Sequence, residues 1–257
     1  MNFHRALLLT LLLAASLLQA QGREERVRRY DANATSHVSF EIRESKDPVF
    51  PLSMKRLGYD KGVAIFAIFI NQFGELADYL PLEATHIDFA EAVEKVLPDW
   101  DYSVPYVDGK TAAIVSRIKV TFERGKGVVY ETTGYDHYSH VNALHETQSA
   151  YRTYSVAELD SIPEPIHIEK PAFHIELLEE RNLVNAVFEF YIDENGKVRM
   201  PTLREADDKV DERLLILAQE ALLQWRFNAP TRDGQPVVAR TALPFRFKKR
   251  DTIGLVE

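Results

Sequence analysis

The feature that most constrains this fold is a pattern of landmarks that the chain carries twice. Trp100, Pro105, Asp108-Gly109 and an alternating run ending at Phe122 recur, in order and at one common offset, as Trp225, Pro230, Asp233-Gly234 and a run ending at Phe247. Ile70 and Gly74 recur as Ile192 and Gly196 at a second, slightly shorter offset, which one short insertion explains. Agreement at so many positions with one gap is the mark of an internal duplication. Each copy spells the same elements: a proline-rich lead-in, an apolar strand, a glycine turn, a second strand, an amphipathic helix and a closing strand.

The strand and helix expectations follow from side-chain period. Val63 to Ile70 is apolar without interruption and of strand length, Asn71 to Gly74 is a turn, and Glu75 to Leu82 is a second strand. Phe89, Val93, Val96, Leu97 and Trp100 recur at helical spacing after Asp88, a candidate N-cap, and Pro98 limits the helix. In the second copy Ala186, Phe188, Phe190 and Ile192 alternate with Asn185, Val187, Glu189 and Tyr191, the pattern of a half-buried strand. Leu214, Leu217, Ala218, Ala221, Leu222 and Trp225 make the buried stripe of a helix capped by Asp211. Both tryptophans close such stripes, so they read as core.

Composition narrows the function classes. The formal charge of −8 argues against nucleic acid as a partner, since phosphate binding needs a positive surface. With no cysteine, there is no disulfide framework, thiolate metal site or cysteine nucleophile. Met1 to Arg5 followed by the apolar run Ala6 to Leu18 reads as a secretory signal peptide, too short to span a bilayer. The chain is therefore expected to divide into a signal peptide (1–20), an arm (21–47), a first module (48–122), a connector (123–163), a second module (164–248) and a tail (249–257). The expected location is the periplasm; retention of the N-terminus would instead anchor the chain in the inner membrane. No span is expected in the mature chain.

Catalytic signals are missing. The chain has no G-x-S-x-G elbow, phosphate loop or H-E-x-x-H, so it reads as a protein other than an enzyme, with no cofactor. Asp136, His137, His140 and His145 are the one grouping of metal-ligand types, but their spacing matches no metal motif and a solvated connector explains them better.

The second copy carries a more specific pattern. Tyr191-Ile192-Asp193-Glu194-Asn195-Gly196-Lys197-Val198, then Leu223-Gln224-Trp225-Arg226-Phe227-Asn228-Ala229-Pro230, then Arg232-Asp233-Gly234-Gln235-Pro236-Val237 resembles the C-terminal domain of the TonB energy-transducer family. The match spans about 165 to 247 and, more weakly, about 48 to 122. The resemblance implies an α+β fold of two modules, each a small antiparallel sheet of about three strands with an amphipathic helix on one face. It also implies that the last strand is an edge to which a short peptide of an outer-membrane transporter adds. Full transducers carry a spanning N-terminal helix and a long Pro-rich spacer; neither is read in this sequence, so the binding domain is the part of the family's role expected to carry over.

The residues themselves agree on an edge. Pro244 cannot donate to a ladder, which favours an edge position for Val237 to Phe247. Ala239, Thr241, Leu243, Phe245 and Phe247 are expected to face the helix. Val238, Arg240, Ala242, Pro244 and Arg246 are expected to face away, as the candidate partner-binding residues for an extended peptide. Pro244 and Arg246 would equally serve to blunt the edge against aggregation. The first strand is apolar on its other face too, through Val63, Ile65, Ala67 and Phe69. That face needs a cover. Cover from within the chain is the simpler solution, and a homodimer through that face, in a structural or assembly role, is the alternative.

Overall fold

The computed structural model describes residues 26–126, 128–132, 150–249 and 254–255. The expected signal peptide lies outside them, as does the Asp136, His137, His140 and His145 grouping. The arm contributes β1 (Arg29–Asp31), followed by the short helix α1 (Leu52–Arg56) and the apolar strand β2 (Lys61–Ile70). At the turn the Asn71 side-chain oxygen accepts from the Phe73 and Glu75 amides, both at 3.0 Å, while Gly74 takes a φ of 83°. That pins the register of the return strand β3 (Leu76–Ala84). Helix α2 (Ile87–Glu94) is capped two residues earlier than expected. His86 is the N-cap, its Nδ1 accepting from the Asp88 amide at 3.3 Å. Asp88 lies in the first turn, where its charge suits the helix dipole. Pro98 then sits in a 3-10 turn at Leu97–Asp99, and the first half closes with β4 (Ala113–Glu123) and β5 (Val128–Thr132).

The connector supplies β6 (Tyr151–Arg152) and β7 (Tyr154–Ser155). Next come β8 (Leu183–Ile192), β9 (Val198–Ala206), helix α3 (Glu212–Leu222), β10 (Ala239–Lys248) and β11 (Gly254–Leu255). Asp211 caps α3 as expected, accepting from the Arg213 amide at 2.9 Å. The tight β8–β9 turn depends on Gly196, whose φ is 77° and whose missing Cβ would lie 1.9 Å from the Phe227 carbonyl oxygen.

The chain is a mixed α+β protein with two principal sheets. The first runs β1-β4-β2-β3-β6, with β5 also on β4; the second runs β7-β10-β8-β9, with β11 also on β10. At the heart of each, a strand, its hairpin partner and a closing strand take the same order. Both sheets exceed the three strands expected, because short pieces of arm, connector and tail add to their edges. Two of these, β1 and β7, add in parallel, a pairing that the alternating pattern of the long strands could not reveal.

One face of each sheet packs on its helix. Phe66, Ile68, Phe89, Val93, Ile118 and Phe122 fill the first core; Phe188, Phe190, Leu214, Leu222, Phe245 and Phe247 fill the second. Trp100 and Trp225 are buried there, as expected, and each donates its indole N–H to a backbone carbonyl of its own lead-in: Lys46 at 3.0 Å and Glu169 at 2.8 Å.

The other faces pack on each other. Ile65, Ala67, Leu80, Leu82 and Val115 of the first sheet are buried against Tyr191, Met200 and Val238 of the second half. The chain thus covers its own second apolar face, with Val63 and Phe69 partly buried at the margin. Burial of this set is worth on the order of 10 kcal/mol before chain entropy is counted.

The arm straps this seam. β1 pairs with β4 at Ala113, Ile114 and Val115. On its other side the buried Gln219 side chain of α3 accepts from the Arg29 amide at 3.0 Å and donates to the Arg29 and Pro201 carbonyls at 2.8 and 3.2 Å. The Tyr30 hydroxyl donates to the Glu212 carboxylate at 2.7 Å. Burial, reinforced by that bond, pushes the Tyr30 pKa from 10 to about 12. A raised folded-state pKa gives stability that is complete below pH 10 and is lost as the pH rises towards 12. Tyr30→Phe is therefore expected to flatten the fall in unfolding free energy over that interval. Denaturant titrations of both proteins across the alkaline range measure it, and parallel curves would contradict the strap.

Candidate functional site

The candidate binding strand β10 was expected at the edge of its sheet but stands second in the order, with β7 and β11 on its outer side and β8 on its inner side in unbroken register from Ala239 to Lys248. Its side chains divide into two faces. Ala239, Phe245 and Phe247 are buried on the helix side and Leu243 packs against that core. Pro244 is exposed, and Arg246 is half-buried.

The opposite face differs from the expectation at two of its five residues. Val238 is only 1% exposed, because it is part of the apolar seam with Ile65 and Val115. It is thereby removed from any surface a partner's side chains could reach. Arg240 is half-buried and ion-paired with Glu189 on the neighbouring strand. The face that one sheet alone would leave wet is turned towards the other sheet.

The outer edge of β10 is partly occupied. The Tyr154 amide donates to the Val238 carbonyl at 2.9 Å, and β7 pairs in parallel with Ala239 and Arg240. At the far end β11 pairs with Phe245 and Arg246. Among the described residues no strand pairs with Thr241, Ala242, Leu243 and Pro244 on this outer side. Main-chain groups alternate in direction along a strand, so the residues in phase with Val238 turn theirs outward. Ala242 offers an N–H and a carbonyl to this opening, and Pro244 offers only a carbonyl.

β7 is held in place by an ordered piece of connector. Glu158 caps the turn at Ser155, accepting from both its amide and its hydroxyl at 2.9 Å, and takes an ion pair from Arg152 at 2.9 Å. The Asp160 carboxylate accepts from the Asp233 and Gly234 amides, each at 2.9 Å. Those two bonds hold its pKa below the usual carboxylate range. The Asp-Gly turn thus has a second use that its turn chemistry did not reveal: it anchors the connector that edges β10.

Arg240 and Ala242 open into a cleft of about 890 Å³ between the sheets, which Asp31, Glu83, Arg117, Arg152, Glu189 and Arg204 also line. Arg117 lies 3.9 Å from Asp31 and hydrogen-bonds the buried Tyr191. Burial and then the neighbouring Arg117 lower the Arg240 pKa to about 10, so it remains cationic at neutral pH. Burial also raises the Glu189 carboxyl, with Arg117 working against the shift. Arg117 and Glu189 stand on strand faces that read as solvated from alternation alone. The signal available was that charged residues punctuate the back faces of both closing strands, at Arg117 and at Arg240.

Among the described residues no group of three or more His, Asp or Glu side chains could hold a metal ion, and no helix is long and apolar enough to cross a membrane. No protein-family model matches the chain, and no curated protein matches its sequence.

The charged cleft makes a direct prediction. Removing one member of a half-buried pair strands the other, whereas replacing both by apolar groups removes two desolvation costs. Glu189→Leu is expected to lower the unfolding free energy by about 2 kcal/mol, and Glu189→Leu with Arg240→Met to restore most of it. Urea unfolding of the four proteins of the cycle measures this; additive losses would contradict it.

Proposed function

We propose that this chain is an exported, periplasmic binding protein built from two modules akin to the C-terminal domain of TonB energy transducers. In this reading it takes an extended peptide of a partner protein, such as an outer-membrane transporter, by strand addition at the edge of β10. The observation that supports it is that the β10 edge already takes added strands from this chain, β7 at one end and β11 at the other. Each is only two residues long, so a longer peptide would gain main-chain bonds at Ala242 and Pro244 that neither makes. The binding register is set by Val238, Arg240, Ala242, Pro244 and Arg246 through their outward main-chain groups. Side-chain selectivity falls to Ala242, Pro244 and Arg246, because Val238 and the paired Arg240 face the seam.

A homodimer through Val63, Ile65, Ala67 and Phe69 has less to support it, since Ile65 and Ala67 are already buried within the chain. Such an assembly would have to open the seam first.

The test is a displayed library of extended decapeptides, selected on the whole protein and read by amide exchange. Selected peptides should slow exchange at Ala242. Ala242→Pro, which deletes that donor, should weaken them about tenfold, in line with the loss of a main-chain bond. Tyr154→Pro, which releases β7, should tighten them. Binders that hold Ala242→Pro as tightly as the parent, and leave its neighbours' amides unchanged, would overturn strand addition at β10.

A further inference from the structure

The first sheet has an edge of its own, and it is vacated in an informative way. β6 pairs antiparallel with Ala84 and Glu83 at the end of β3, and the Thr153 amide continues the ladder to the Leu82 carbonyl at 2.7 Å. At Tyr154 the connector leaves for the second sheet to become β7. From Pro81 back to Leu76, no strand pairs with β3 on the side away from β2 among the described residues. Pro81 is itself an edge residue by its missing N–H.

Along that vacated edge runs a groove of about 1080 Å³, lined by Gly74 to Pro81 of the edge, by Trp100 to Tyr102, and by Glu94, Tyr151, Glu194 and Arg199. The turn between β8 and β9 forms its far wall, so the groove exists only because the two sheets are packed together.

The groove already binds one cation. Arg199, reaching over from β9, gives its Nε and terminal nitrogens to the two oxygens of Asp78 in a bidentate pair. It also donates to the Tyr79 carbonyl of the edge at 2.9 Å and approaches Asp193 at 3.4 Å. A guanidinium that bonds a carboxylate and an edge carbonyl together shows what this wall recognises. The remaining carboxylates of the groove, Glu75, Glu94, Asp101 and Glu194, form no ion pair with a Lys or Arg among the described residues. Glu194 takes the Tyr151 hydroxyl at 3.2 Å. Burial, then Glu91 and Glu194, raise the Glu94 pKa, with the adjacent Lys95 working against the shift.

We propose that this groove is a second docking site, and that its occupant is an extended, lysine- or arginine-bearing segment of a partner protein lying along β3. The edge supplies main-chain bonds in continuation of β6, and Glu94 and Glu194 receive the cationic side chains as Asp78 receives Arg199. Tyr79 and Tyr151 line the path, with their rings packed on the first core. The site is separate from the β10 edge and does not depend on it.

The test uses the whole protein and an alternating Lys-Thr decapeptide, with its Glu-Thr counterpart as control. The Lys-Thr peptide should bind and shift the amide resonances of Leu76 to Leu80, and the Glu-Thr peptide should do neither. Glu94→Gln with Glu194→Gln should weaken binding about tenfold. Glu164→Gln with Glu169→Gln, an equal charge change on the far lead-in, should leave it within about twofold. Because the chain is acidic throughout, a loss equal for both pairs would mean unspecific attraction and would overturn the proposal. So would binding that survives the groove pair, or shifts confined to the β10 edge. The Ala242→Pro protein should bind this peptide normally, which separates failure here from failure of the β10 reading.

Discussion

The rest of the structure depends on the packing of two sheet backs against each other. A single small sheet with one helix leaves a face to water, yet Ile65, Ala67, Leu80, Leu82 and Val115 make the first sheet's second face apolar. Tyr191, Met200 and Val238 provide the matching cover. Everything else about the molecule's surface follows from that contact. It puts Arg117, Glu189 and Arg240 into a shared cleft, turns the β8–β9 hairpin into a wall for the β3 edge, and makes the arm a strap across both halves. Gln219 is where the strap is tightest: one buried carboxamide serves the amide and carbonyl of Arg29 in β1 and the carbonyl of Pro201 in β9.

The same contact bears on function by deciding which edges are open. The connector between the halves is spent on both sheets, first on β3 and then on β10, and it covers each only for two or three residues. A chain that lends short strands to its own edges keeps them from aggregating while leaving them able to accept a longer one. The two readings of Pro244 and Arg246, blunting and docking, are therefore compatible: β7 and β11 protect the ends of β10, and the interval between them is short enough to be harmless.

Much of this was legible in the chain. The continuous apolar run Val63 to Ile70 announced a strand covered on both faces, and the stripe from Leu214 to Trp225 announced α3 with its cap at Asp211. What periodicity could not convey was the identity of the cover. Val238 read as an outward residue because alternation assigns faces within one sheet and is blind to a second sheet packed behind it. His86 was passed over as a cap for Asp88 because an imidazole caps through one nitrogen, without the short oxygen that marks Ser, Asp or Asn. The cleft charges and the Arg199 pair with Asp78 join residues far apart in sequence, so no local pattern carries them.

The seam is the central claim, and native-state hydrogen exchange of a Val238→Ala protein tests it most directly. The substitution removes buried volume from the second half alone and is expected to cost about 2 kcal/mol. If the two backs form one cooperative unit, the slowest amides of β2 and β4 in the first sheet should lose the same protection as those of β8 and β10. Loss confined to β8 and β10, with β2 and β4 unchanged, would show that the sheets are stable independently and would contradict the account.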